Sequence, residues 1–134
     1  MTVPTLLRPD GLVHSPAFSH VAVIPPGAAT ILVGGQNAVD ANGALVGAHD
    51  LAAQTVQVMA NLETALAAAG TSMTDLVSCT ILIVAGVDLR AAYGVAASSF
   101  DPDAEPPLVT VAVVAGLAVP GALIELSAVA AVPQ

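Results

Sequence analysis

Residues Leu108–Ile124 make a run of about 17 residues without a charged side chain, close to the shortest helix that can cross a hydrocarbon core. Such a run must lie in a membrane or be buried in strands. Its internal punctuation decides between the two. Leu108–Val114 is rich in valine and threonine, Gly116, Pro120 and Gly121 interrupt the middle, and Ile124–Val132 then alternates around Glu125 and Ser127. Proline and glycine between β-branched segments describe two strands joined by a turn. No membrane partner is expected. From Pro106 to Val132 the chain carries one carboxylate, Glu125, and no basic residue.

Apolar residues make up 56% of the 134-residue chain and charged residues 9%, whereas a typical globular domain has roughly 25% charged residues to coat its surface. A lone subunit would expose large apolar patches, which predicts a homo-oligomer. The only cations are Arg8 and Arg90, against ten acidic residues and a formal charge of -8. Two arginines cannot neutralise the phosphates of a nucleic acid, so nucleic-acid partners are excluded. Phosphorylated substrates and anionic membranes are disfavoured for the same reason, and neutral or weakly charged small molecules fit better. The single cysteine, Cys79, lies in an apolar run and reads as a buried small side chain. With no intrachain disulfide available and no secretory pattern in Met1–Asp10, the expected compartment is cytoplasmic.

The rest of the chain divides cleanly. Val21–Ile24 and Ile31–Gly34 flank Pro25-Pro26-Gly27 and read as a hairpin. Turn signals then crowd between Gly34 and Gly47. Leu51, Met59, Leu62, Leu66 and Ala69 recur at helical spacing, with Asp50 as N-cap, Gly70 as the terminating glycine, and Gln54, Gln57, Asn61 and Glu63 on other faces. Val77–Val84 reads as a buried strand and Val87–Ser99 as a second, shorter helix interrupted by Gly94. Asp101–Pro107 carries three prolines and leads into the last two strands. The order β-β-α-β-α-β-β predicts an α+β fold: one mixed sheet with two helices on one face, residues 1–134 forming a single domain and 1–14 an N-terminal extension. The sheet's other face is then free to meet further subunits.

Four stretches of this sequence resemble the Rid/YjgF family of small trimeric proteins. They are Ser15-Pro16; Leu32–Val39, LVGGQNAV, where the family usually reads SGQ and an apolar residue; Ala67–Gly70 followed by Met73–Val77; and Pro120–Ala130, PGALIELSAVA, close to the family's PGALVEIEAIA. The resemblance spans Ser15 to Pro133. It implies a homotrimer with three clefts between subunits, in which ligands sit against the backbone near the Gly-Gln turn. Gly35, Gln36 and Glu125 match the family's glycine, glutamine and water-activating glutamate. Leu108 stands where the family's deaminases carry a substrate-binding arginine, Thr110 matches the polar residue that follows it, and Ala17 replaces a tyrosine, with Phe18 beside it to take that space. A planar guanidinium holds a carboxylate by two parallel charge-assisted bonds, so leucine in its place costs a carboxylate-bearing substrate on the order of 2–5 kcal/mol.

Glu125 sits in an otherwise apolar strand, where a carboxylate is either a general acid–base group or an outward-facing residue of an alternating strand. His20 flanks the Ser15-Pro16 segment and could pair with Glu125; His14 and His49 read as loop and helix-start residues. Arg90 is the cation placed well inside the chain's structured part, with Asp88 nearby offering a surface ion pair, and Tyr93 lies on the same helix. The histidines lack metal-ligand spacing and Gly34-Gly35 lacks the rest of a phosphate loop, so neither metal nor cofactor is expected. The expected function is a Rid-like enzyme acting in inter-subunit clefts on a neutral or apolar molecule, through imine or enamine hydrolysis or tautomerisation at Glu125. Two alternatives stand beside it: a non-catalytic small-molecule-binding trimer, and an ordinary 2-imino-acid deaminase in which Arg90 replaces the missing arginine.

Overall fold

A computed structural model describes residues 3–134 of the chain. In chain order its elements are β1 (Thr5–Leu7), β2 (Val21–Val23), β3 (Ala29–Gln36), α1 (Leu51–Ala68), a 3-10 turn (Met73–Asp75), β4 (Leu76–Val84), α2 (Leu89–Ala97), β5 (Leu108–Val114) and β6 (Ile124–Val132). Two helices lie on a mixed four-stranded sheet of order β3-β6-β4-β5, as the pattern predicts. Strand β6 runs antiparallel to both β3 and β4, and β4 and β5 are parallel.

Two pairings differ from the sequence reading. The expected hairpin across Pro25-Pro26-Gly27 does not form; β2 instead pairs antiparallel with β1, matching Thr5 to Val23 and Leu7 to Val21 in a separate two-stranded sheet. The two prolines lack N–H donors and hold φ near one value, so the chain leaves β2 without turning back on it. The partner is drawn from the supposed N-terminal extension, whose three-residue strand is too short to show alternation. Likewise β5 and β6 are not neighbours. The connection through Gly116, Pro120 and Gly121 carries β6 past β4, which lies between them.

Helix α1 ends as its sequence predicts at both termini. The Asp50 carboxylate accepts from the Ala53 N–H at 3.0 Å, and Gly70, with φ 76°, lets Thr71 donate back to Leu66 and Gly70 to Ala67, each at 3.0 Å. Its apolar stripe, including Val58, Met59, Leu62 and Leu66, packs on the sheet residues Val33, Ile124, Leu126 and Ala128. Alternation in β6 accounts for the other half of this core: Ile124, Leu126, Ala128 and Ala130 are buried under the helices, while Glu125, Ser127 and Val129 point to the opposite, open face. No helix among the described residues is long and apolar enough to cross a membrane.

One polar residue on α1 departs from its expected outward position. Gln54 is fully buried; its amide donates to the Gly47 and Gly121 carbonyls at 3.2 and 3.0 Å, and its oxygen accepts from the Leu123 N–H at 2.8 Å. It thereby ties the loop before α1 to the loop before β6. Asn61 does the same for the segment after β3, donating to Asn37 and Val39 carbonyls at 3.0 and 2.9 Å. Replacing Gln54 by Ala leaves buried backbone groups of two loops unpaired, with an expected loss of about 2–4 kcal/mol in urea unfolding.

Candidate active site on the open face

Strand register arranges the open face in rows. Glu125 pairs with Leu82, which pairs with Ala112; the next row is Ser127, Thr80 and Thr110; the next is Val129, Ser78 and Leu108. Because side chains alternate, these rows share the face turned away from the helices. Glu125 and Thr110 are therefore brought to one surface, with Leu108 beyond them. Arginine is absent from every row.

On the other flank of β6 the register slips between Val33 and Gln36, which oppose Ala128 and Leu126, so β3 holds one extra residue at Gly34-Gly35. A methyl group built on Gly35 would come within 2.9 Å of both the carboxyl carbon and Oε2 of Glu125. Only a glycine allows the carboxyl group to lie this close to the strand. The Gln36 side chain folds back across the bulge and donates to the Gly34 carbonyl at 3.2 Å. Gly35, Gln36 and Glu125, distant in sequence, are thus adjacent in space.

A buried serine closes the site's far end. Ser19 donates from Oγ to the Pro106 carbonyl at 2.6 Å and from its N–H to the Pro107 carbonyl at 3.0 Å, bridging in parallel to Leu108. The Ser15–Phe18 segment is thereby held beside the segment that carries Leu108. Nothing in the sequence singled out Ser19, because its partners are backbone carbonyls with no residue signature. His20 donates its backbone N–H to Leu7 at 2.9 Å, its ring Nε2 lies 2.7 Å from the Val13 carbonyl, and Phe18 stands edge-on to it at 5.4 Å. In the single chain its ring is paired with Val13 rather than with Glu125.

Arg90 makes the surface ion pair that Asp88 offered in the sequence. Arg90 is not inside the fold: its side chain is 92% exposed and forks onto Asp88, with Nε at 3.1 Å and Nη2 at 3.2 Å, which holds the Asp88 carboxyl below its ordinary range. Arg8 is the partly buried one, bonded to Glu105 at 2.9 Å and to the Ser15 carbonyl at 3.3 Å. The pairing of β1 with β2 draws it in. Phe18 and Tyr93 line a different space, an apolar cavity of about 600 Å³ on the helix side of the sheet. Cys79 also faces that cavity, and burial pushes its thiol up to about 11. Among the described residues no three His, Cys, Asp or Glu side chains converge as metal donors.

The family model described as Endoribonuclease L-PSP matches residues 12–132. This chain belongs to that family, the Rid/YjgF family. A Rid-family structure from Yersinia pestis, YyfB, described as a protein of unknown function, is similar at 34% identity with a TM-score of 0.84, over 97% of this chain and 98% of that one. The Escherichia coli YjgF gene product is similar at 26% identity and a TM-score of 0.69, over 83% and 85% of the two chains. A member of the YjgF/YER057c/UK114 family from Mycobacterium tuberculosis is 26% identical with a TM-score of 0.64, over 96% and 99%. No curated protein matches the chain.

Two measurements check the geometry of the two faces of this Rid/YjgF sheet, Gly35 for one and Cys79 for the other. Gly35 does not have a positive φ, and a methyl there meets the movable end of Glu125 rather than backbone. Gly35→Ala is therefore expected to change the melting temperature by less than a few degrees while a crystal structure of the variant shows the Glu125 carboxyl displaced. Burial makes the thiol of Cys79 hold its proton more tightly in the folded chain, up to about 11 from an ordinary 9.0. Stability is thus full below pH 9 and falls by roughly 2–3 kcal/mol as pH rises from about 9 to about 11. With no lysine in the chain, Cys79→Ala should flatten most of that fall in urea titrations at the two pH values.

Proposed function

We propose that this Rid/YjgF chain is a small-molecule enzyme that hydrolyses or tautomerises a neutral or apolar imine or enamine, with Glu125 as its acid–base group. The observation that carries the reading is the Glu125 carboxyl set against the glycine bulge of β3, on a face whose rows contain hydroxyl and aliphatic side chains but no cation. In hydrolysis the Glu125 carboxylate takes a proton from water as the oxygen adds to the C=N carbon. It passes that proton to nitrogen to give the tetrahedral adduct, then takes the adduct's hydroxyl proton and delivers it to nitrogen as the C–N bond breaks, so that an imine and water become a carbonyl compound and ammonia. Tautomerisation uses the same group to move a proton between carbon and nitrogen.

Leu108 speaks for the class of substrate. A carboxylate placed there would lose its water without gaining a guanidinium, and the chain's charge of -8 repels it further. Backbone N–H groups around Gly35 are suited to hold a neutral polar atom instead. The exposed apolar side chains of the open face and its edge, Leu32 at 76% exposure among them, support burial between the subunits of a homotrimer whose clefts contain the site. A single cysteine that needs no oxidising compartment accords with a cytoplasmic protein. RNA cleavage, which the family model's description names, is disfavoured by the scarcity of cations: Arg8 and Arg90 are each already paired with a carboxylate.

Ammonia release from freshly generated imines tests the reading, with 2-imino acids compared against imines of neutral ketones. Wild type is expected to prefer the neutral imines, Glu125→Gln to lower turnover by about 100-fold or more, and Leu108→Arg to gain activity on 2-imino acids. Undiminished turnover by Glu125→Gln would sink the assignment.

A further inference from the structure

The cavity on the helix side of the sheet is separate from the Glu125 face. Its floor is Cys79, Ile83, Ile124 and Leu126, each at most 3% exposed, and its roof is α2, which presents Ala92 and Ala96. The space exists because α2 carries alanines where a helix normally sets large side chains onto a sheet; its one buried residue is Ala92. Protein interiors hold few voids larger than a water molecule, whereas about 600 Å³ lies within the roughly 300–1,000 Å³ of small-molecule sites.

From this geometry we infer that the space between α2 and strands β4 and β5 is a binding site for a neutral, hydrocarbon-rich small molecule. The interior offers such a ligand no ionic partner. The Thr55 hydroxyl is already spent on the Leu51 carbonyl at 2.7 Å, and the Cys79 thiol is a small, neutral wall group. At the rim stand Tyr93, Asp101 and Glu105, the last already paired with Arg8, so a polar tip of the ligand meets the Tyr93 hydroxyl and the Asp101 carboxylate, which repels an anionic tip such as a fatty-acid carboxylate.

The neutral dye N-phenyl-1-naphthylamine is a direct probe, and Tyr93 is a built-in reporter. It is the chain's one tyrosine, and there is no tryptophan. Saturable dye fluorescence at one dye per chain, with parallel quenching of tyrosine emission, is the expected result. Ala96→Phe should fill the cavity, raise the melting temperature and weaken dye binding by about tenfold or more, whereas Glu125→Gln should leave dye binding unchanged. Dye that binds without quenching Tyr93 lies elsewhere and overturns the inference without needing any variant to fold. So does unchanged dye affinity in a folded Ala96→Phe protein, or a wild type that takes up no dye while Tyr93 emission changes on dilution, the mark of a second copy at the rim. Loss of imine turnover in Glu125→Gln with dye binding intact separates this site from the proposed catalytic one.

Discussion

Strand β6 is the element on which the molecule depends. It is inserted antiparallel between β3 and β4, so it joins β3 to the parallel β4-β5 pair. Its period-two pattern assigns Ile124, Leu126, Ala128 and Ala130 to the helices and Glu125, Ser127 and Val129 to the other side. A one-residue slip would exchange the two sets, driving Glu125 into the apolar core and exposing the isoleucine and leucine that support α1. The burial of four small or aliphatic side chains therefore also fixes where the one carboxylate points. Gln54 guards this register by holding both the loop that leads into β6 and the loop that leads into α1.

The scarcity of charge shapes both faces of the sheet differently. On the open face it leaves one carboxylate among hydroxyls and aliphatic groups, next to a bulge where a glycine admits it. Under the helices it leaves alanine-rich α2 standing off from β4 and β5. The two spaces share a sheet, and their polarity differs in kind: one has the Glu125 carboxylate at its centre, the other has carboxylates only at its rim. Leu108 lies on the open face, whereas Asp101 and Glu105 stand at the entrance of the other space, Glu105 paired with Arg8.

Long, strongly patterned segments were legible in the sequence. The 51–68 helix with its Asp50 and Gly70 ends, the 76–84 and 124–132 strands, and the match of LVGGQNAV and PGALIELSAVA to the Rid/YjgF pattern all rest on local periodicity or local residue types. Strand partners were not legible. The β2 strand looked like half of a hairpin because its neighbour in sequence was apolar, yet its partner is Thr5–Leu7, a segment too short to carry a pattern. Gln54 and Ser19 escaped notice because they bond to carbonyls, and every residue has a carbonyl. Arg90 makes the surface ion pair with Asp88 that their closeness in sequence offered, whereas the partial burial of Arg8 depends on the pairing of β1 with β2.

By itself, the sequence determined the α+β character, the family, the scarcity of cations, and the chemical identity of Glu125 and Leu108. Each of these follows from composition, from period, or from a residue type at a given position. The tertiary structure decided which strands pair, that Gly35 and Glu125 touch, and that Phe18 and Tyr93 line a cavity apart from them. Those outcomes come from non-local hydrogen-bond registers and from the volume left when small side chains face a sheet. Neither quantity is carried by any one stretch of the chain.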